Sequence, residues 1–143
     1  MSKHGFKELA VWQRSKKLAV DVYKVTGEGT VSRDFGLIDQ MRRSAVSAPS
    51  NIAEGDERDS DKDSARFFEI AKGSLGELAT QIEIAVDVGY LKEDRATVLS
   101  RECLEIGKML GALIKARRRF VSRIVCLLAG VALGITTTTL LLS

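Results

Sequence analysis

Histidine occurs once in this chain, as His4, proline once, as Pro49, and cysteine twice, as Cys103 and Cys126. Each scarcity removes a class of protein. Two cysteines without C-x-x-C or paired spacing supply neither a disulfide framework nor a structural zinc site. A lone histidine near the N-terminus cannot build a histidine-based acid–base pair. Nor can it complete the Glu-x-x-His ligand sets of carboxylate-bridged metal bundles, so Glu69, Glu77 and Glu83 are read as a solvated acidic face. Cys103 has no histidine to take its proton and is read as a small core or boundary residue. No Walker or dinucleotide glycine pattern occurs. Gly73, Gly76, Gly107 and Gly111 fall inside helical patterns, where close packing explains them most simply. No catalytic residue, metal site or cofactor is expected. With aromatics at 6% of 143 residues and Ala, Leu, Glu and Lys abundant, a β-rich or disordered chain is excluded. One all-α domain remains.

What is there is helical periodicity, in four stretches. From Phe6 to about Thr26 the apolar positions are Phe6, Leu9, Trp12, Leu18, Ala19, Val22 and Tyr23, with Gly27 and Gly29 as stop signals. A second helix is expected from about Ser32, its N-cap, to Glu54, with Asp34 in the first turn and Leu37, Met41, Ala45, Ala48 and Ile52 inward. Pro49 is expected to kink or divide it, and Gly55 to end it. A third begins at Ser60-Asp61-Lys62-Asp63, a variant capping box, buries Phe67, Phe68, Ala71, Leu75, Leu78, Ile82 and Ala85, and stops at Gly89. Asp94 is expected to cap a fourth, with Val98, Leu99, Ile106, Met109, Leu110, Leu113 and Ile114 inward. Short connections between such helices predict an antiparallel up-and-down four-helix bundle over residues 1–116. Residues 117–143 form a second region, an arginine cluster and an apolar tail, itself expected to be helical.

The net charge of +3 is local. Residues 1–116 carry 18 basic and 19 acidic side chains, so the excess comes from Arg117, Arg118, Arg119 and Arg123. By segment the first and last helices are basic and the middle two acidic. Internal pairing, two opposite faces and contacts between subunits are all compatible with that pattern. After the arginines, Ile124 to Leu142 contains no charged residue. As a helix it would measure roughly 28 Å, close to the thickness of a bilayer core. Three readings are open for it: a membrane span, a helix buried in an assembly, and an extension without function. If it spans, the arginines before it keep the bundle in the cytoplasm, attached to the inner membrane.

One stretch exceeds a plain amphipathic helix: Gln40-Met41-Arg42-Arg43-Ser44-Ala45-Val46-Ser47-Ala48-Pro49-Ser50-Asn51-Ile52-Ala53-Glu54-Gly55. Gln40, Ser47, Ser50, Asn51 and Glu54 gather around a helix-internal proline. The structural reading has Ser and Asn side chains satisfying the backbone groups that Pro49 frees, and Arg43 paired with an acidic residue such as Glu54 or Glu69. The functional reading turns Arg42 and Arg43 outward to phosphate or to a partner's carboxylates.

The same stretch carries a family resemblance. Together with F-x-x-L-x-V-W-Q at Phe6 to Gln13, F-G-L at Phe35 to Leu37 and F-F-E-I-A-K-G-S-L-G-E-L at Phe67 to Leu78, it resembles the four-helix-bundle proteins grouped with the 23S rRNA intervening-sequence proteins. The resemblance covers roughly residues 5–116. It implies a small bacterial bundle that assembles as a ring-like homopentamer and has no catalytic constellation. A related branch, the accessory variability protein of diversity-generating retroelements, is a basic pentamer that binds reverse transcriptase and nucleic acid. The family's recurrent positions fall on Arg42, Arg43, Ser47, Pro49, Asn51, Glu54 and Gly55. This chain departs from the basic branch in the near neutrality of residues 1–116, and from the usual family length in its apolar tail.

Three functions are therefore expected as alternatives. The first is an oligomeric, non-enzymatic accessory to RNA, DNA or a ribonucleoprotein, with Lys16, Lys17, Arg42, Arg43, Lys108, Lys115, Arg117, Arg118 and Arg119 as its contacts. The second is a membrane-tethered scaffold, and the third a module for a protein partner.

Overall fold

The structure, a computed structural model, describes residues 5–29 and 33–140, with side chains beyond Arg119 only at Val125 and Leu128. A 3-10 turn, Gly5–Glu8, leads into four helices: α1 (Ala10–Thr26), α2 (Phe35–Asp56), α3 (Asp61–Asp87) and α4 (Glu93–Leu140). There is no strand among the described residues. Each helix packs on the next and α4 returns to α1, which closes an antiparallel four-helix bundle.

The apolar stripes make the core. Leu18, Val22, Met41, Ile52, Phe68, Leu75, Leu78, Ile82, Ile106 and Leu110 are all but removed from solvent, each contributing about 2 kcal/mol of apolar burial. Cys103 lies among them, and burial pushes its thiol up to about 12, far from a reactive thiolate. The periodicity misplaces a few residues. Tyr23 and Val98 were expected inside and stand 47% and 65% exposed, while Val11, Val25, Ile38 and Ala96 are buried instead. Phe6, Leu9, Trp12, Leu37, Phe67, Met109 and Leu113 are only partly covered.

Helix ends follow from local chemistry, with three corrections. Ser32 lies outside the described residues, and the N-cap of α2 is Asp34, whose carboxylate accepts from the Leu37 amide at 3.0 Å. Gly55 does not end α2; it is buried inside the last turn, where an added Cβ would sit 2.8 Å from Phe68 Cε1 and 3.1 Å from Phe67 Cβ. Asp94 lies within the first turn of α4, which starts one residue earlier at Glu93. Ser60 does cap α3, accepting from the Asp63 amide at 3.1 Å and donating to the Asp63 carboxylate at 2.8 Å. Gly89, at φ 77°, closes α3 with its amide on the Val86 carbonyl, a left-handed conformation that costs glycine nothing. Gly27 and Gly29 likewise follow the end of α1.

α2 runs through Pro49 undivided. α4 runs without a break through the arginines toward the apolar tail. Among the described residues no helix is long and apolar enough to cross a membrane. The tail from Ile124 to Leu142, on which a spanning reading rests, lies outside the described side chains except for Val125 and Leu128, both exposed.

Candidate functional site

The Pro49 stretch is a polar ladder between α2 and α3. Ser47 Oγ shares a 2.8 Å hydrogen bond with Ser74 Oγ, and the Ser74 hydroxyl is also within 3.0 Å of the Ile70 carbonyl. Asn51 Nδ2 donates to the Ser47 carbonyl at 2.8 Å and to Ser47 Oγ at 3.1 Å, and Ser50 Oγ donates to the Val46 carbonyl at 2.8 Å. Ser44 Oγ reaches Glu77 at 3.4 Å. The serine and asparagine side chains do engage the backbone, but not at the group they were expected to satisfy. Proline at 49 frees the carbonyl of Ala45, four residues back, whereas the side chains bond the next two, Val46 and Ser47.

The two arginines of the motif part ways. Arg42 turns inward: its Nε donates to Thr26 Oγ1 at 2.9 Å and its guanidinium lies 4.6 Å from the centre of the Tyr23 ring. Thr26 is fully buried and donates in turn to the Val22 carbonyl at 2.8 Å. Arg42 therefore ties α2 to the end of α1, which also explains why Tyr23 stands outward. Arg43 is exposed and faces Asp39 at 3.8 Å, not Glu54 or Glu69. Glu54 pairs with Arg58 and Glu69 with Arg118. Gln40, Arg43, Ser44 and Glu77 line a polar cleft of about 810 Å³ beside Tyr23.

The remaining cations are spread over the molecule, and many have carboxylate partners. Lys16 lies over the Trp12 ring at 5.5 Å, Lys17 pairs with Asp21 at 2.7 Å and Lys108 with Glu105 at 2.8 Å. Asp21 lifts the affinity of Lys17 for its proton, and Lys108 holds Glu105 below the usual carboxylate range. Arg14 grips Glu102 with two bonds, 2.7 and 2.8 Å, joining α1 to α4 and holding the carboxyl of Glu102 low. These pairs lie within one helix or between α1 and α4, the two basic segments; of the pairs described, Arg118–Glu69 and Arg117–Asp61 join a basic segment to an acidic one.

At one end of the α3–α4 seam the cations do converge. Lys115, Arg118 and Arg119 of α4 and Lys72 of α3 surround a cleft of about 790 Å³ in which Glu69 is the single carboxylate among the lining residues. Arg117 is turned aside to Asp61 at 2.8 Å. Lys72 was not expected there. Its place on the outer face of α3, one turn from Glu69, was legible, but its convergence with Lys115 required knowing how α3 and α4 align. Among the described residues no group of three His, Cys, Asp or Glu side chains could hold a metal ion.

No curated protein matches the chain. A solved structure of a protein of unknown function from the S23 ribosomal protein family of Bacteroides thetaiotaomicron is similar to it, at 25% identity and a TM-score of 0.69, over 74% of this chain and 99% of that one. The profile of the 23S rRNA-intervening sequence protein family matches residues 7–112, the four-helix bundle and its Pro49 motif included. The chain belongs to that family.

Proposed function

We propose that this chain is a non-enzymatic, self-assembling bundle that serves as an accessory to a nucleic acid, with the phosphate backbone held at the cationic end of the α3–α4 seam. The observation that carries the reading is the convergence of Lys72, Lys115, Arg118 and Arg119 on one cleft. Guanidinium and ammonium groups gathered at a rim suit a chain of phosphates better than any single small anion. Assembly strengthens the case, because each copy in a ring presents the same cleft and simultaneous contacts multiply a weak affinity. A homopentamer is the ring implied by the resemblance to the family. Arg42 contributes through the fold, and the ion pairs of Lys17 and Lys108 leave them secondary.

The test is retention of the full chain on immobilised heparin and on single-stranded RNA as salt is raised. Affinity should fall steeply with salt, and replacing Arg117, Arg118 and Arg119 by Gln should lower the slope of log affinity against log salt by about 2. No retention at low salt would sink the reading and leave a protein partner as the target.

A further inference from the structure

The outer side of the α3–α4 seam is an open groove. Its middle is lined by Gly76 and Ala79 of α3 and by Leu104, Gly107 and Gly111 of α4. Close packing was the expected reason for the helical glycines, and they are not closely packed. A Cβ added at Gly73, Gly76 or Gly107 would meet nothing within 4 Å, and at Gly111 only the tip of Lys72 at 3.9 Å. Glycine inside a helix costs about 1 kcal/mol relative to alanine, and here the chain's own packing returns nothing for it. Leu104 lies 59% exposed in the same groove. The shielded hydroxyl of Ser100 beside it has no hydrogen-bond partner. Small residues along the floor and an uncovered leucine at the wall suit the flank of another helix.

The groove is also polarised. Glu83, Asp87 and Glu93 line one end, with Arg101; the cations of the cleft line the other. The exposed ridge of α2 carries Asp39 and Arg43, 3.8 Å apart, then Val46 and Ser50, then Glu54 with its partner Arg58. Its level is known, since Ser47 stands against Ser74 and Gly55 against Phe67 and Phe68. Copies in a closed ring whose axis follows the bundle are related by rotation alone, so each residue keeps its height. Val46 of a second copy then arrives level with Leu75 and Gly76, in the apolar middle. Arg43 lies on the side of the acidic end and Glu54 at the cationic end.

We propose that the α3–α4 groove seats the exposed ridge of α2 from a second copy, with Val46 on the glycine floor, Arg43 toward the acidic end and Glu54 toward the cationic end. The contact is head to tail, so it repeats from copy to copy until a ring closes. This rests on the self-assembly part of the function proposed above and is independent of its nucleic-acid part. Lys72, Lys115, Arg118 and Arg119 outnumber Glu69 and the incoming Glu54, which leaves the rim positive.

Sedimentation of the full chain tests it. The wild type should be a multimer. Gly76→Leu with Gly107→Leu fills a floor where the single chain has room, so that variant should sediment as a monomer and melt no lower than the undocked Val46→Glu chain. Val46→Glu should be a monomer as well. Mixed, the two variants keep one intact face each and should give a 1:1 heterodimer and nothing larger. A monomeric wild type, a groove-filled chain that still assembles, or a mixture that stays monomeric overturns the proposal. If the leucine variant melts far below the Val46→Glu chain, Val46→Glu alone decides, and it must be monomeric. Failure of the nucleic-acid reading appears separately, as loss of heparin retention.

Discussion

α3 has two flanks built from similar small residues, and they end in opposite states. Toward α2, Ser47, Ser74 and Gly55 are consumed: the serines bond each other and the glycine admits Phe68. Toward α4's outer side, Gly73, Gly76 and Gly107 face open space. Small residues in a helix therefore do not say which neighbour they serve. On one flank that neighbour is in the chain. On the other, in the proposed docking, it is a second molecule.

The same substitution should have opposite signs on the two flanks, and the contrast is cleanest in the Val46→Glu background, where docking makes no contribution. Gly55→Ala drives a methyl into Phe68 and should destabilise the fold by about 2 kcal/mol in urea unfolding. Gly76→Ala meets nothing and relieves a helical glycine, so it should stabilise by about 0.5–1 kcal/mol. Equal signs at the two positions would erase the distinction between the flanks.

The smallest effect sharpens the comparison by leaving α3 out of it. Arg14 lowers the proton affinity of Glu102, so the stability this pair contributes is complete above the ordinary carboxylate pKa of about 4.3 and is lost as pH falls through the depressed value. Both side chains are partly solvated, which limits the contribution to about 0.5 kcal/mol. Glu102→Gln should remove that acid-limb slope from unfolding curves and leave stability unchanged once the pH is below the depressed value. A slope that persists assigns it to other carboxylates.

How far the sequence could be read varied with the range of the interaction. The stripe from Phe68 to Ala85 was legible because a buried helix repeats its apolar residues on one face, and Ser60 and Gly89 because caps act within a few residues. Asp34 and Ser32 are both good caps two positions apart, so local chemistry could not separate them. Gly55 looked like a stop because glycine after a periodic run usually is one; a contact with Phe68 in another helix decided otherwise. The partners of Arg14, Arg117 and Arg118 lie 88, 56 and 49 residues away, where spacing carries no information. The Pro49 motif was located by composition, but the inward turn of Arg42 depended on a hydroxyl of α1.

α4 is 48 residues long, about 72 Å as a straight helix. Asp61, at the start of α3, meets it at Arg117, so nearly half of that length projects past this contact. Mechanically it is a rod without a joint. A load applied at the far tip is not absorbed by a linker; it reaches the bundle as torque, and the Arg117–Asp61 and Arg118–Glu69 pairs sit at the fulcrum. Copies related by rotation about the bundle direction would raise all their rods on the same side. Whatever the tips engage would then turn with the cationic rim beneath it.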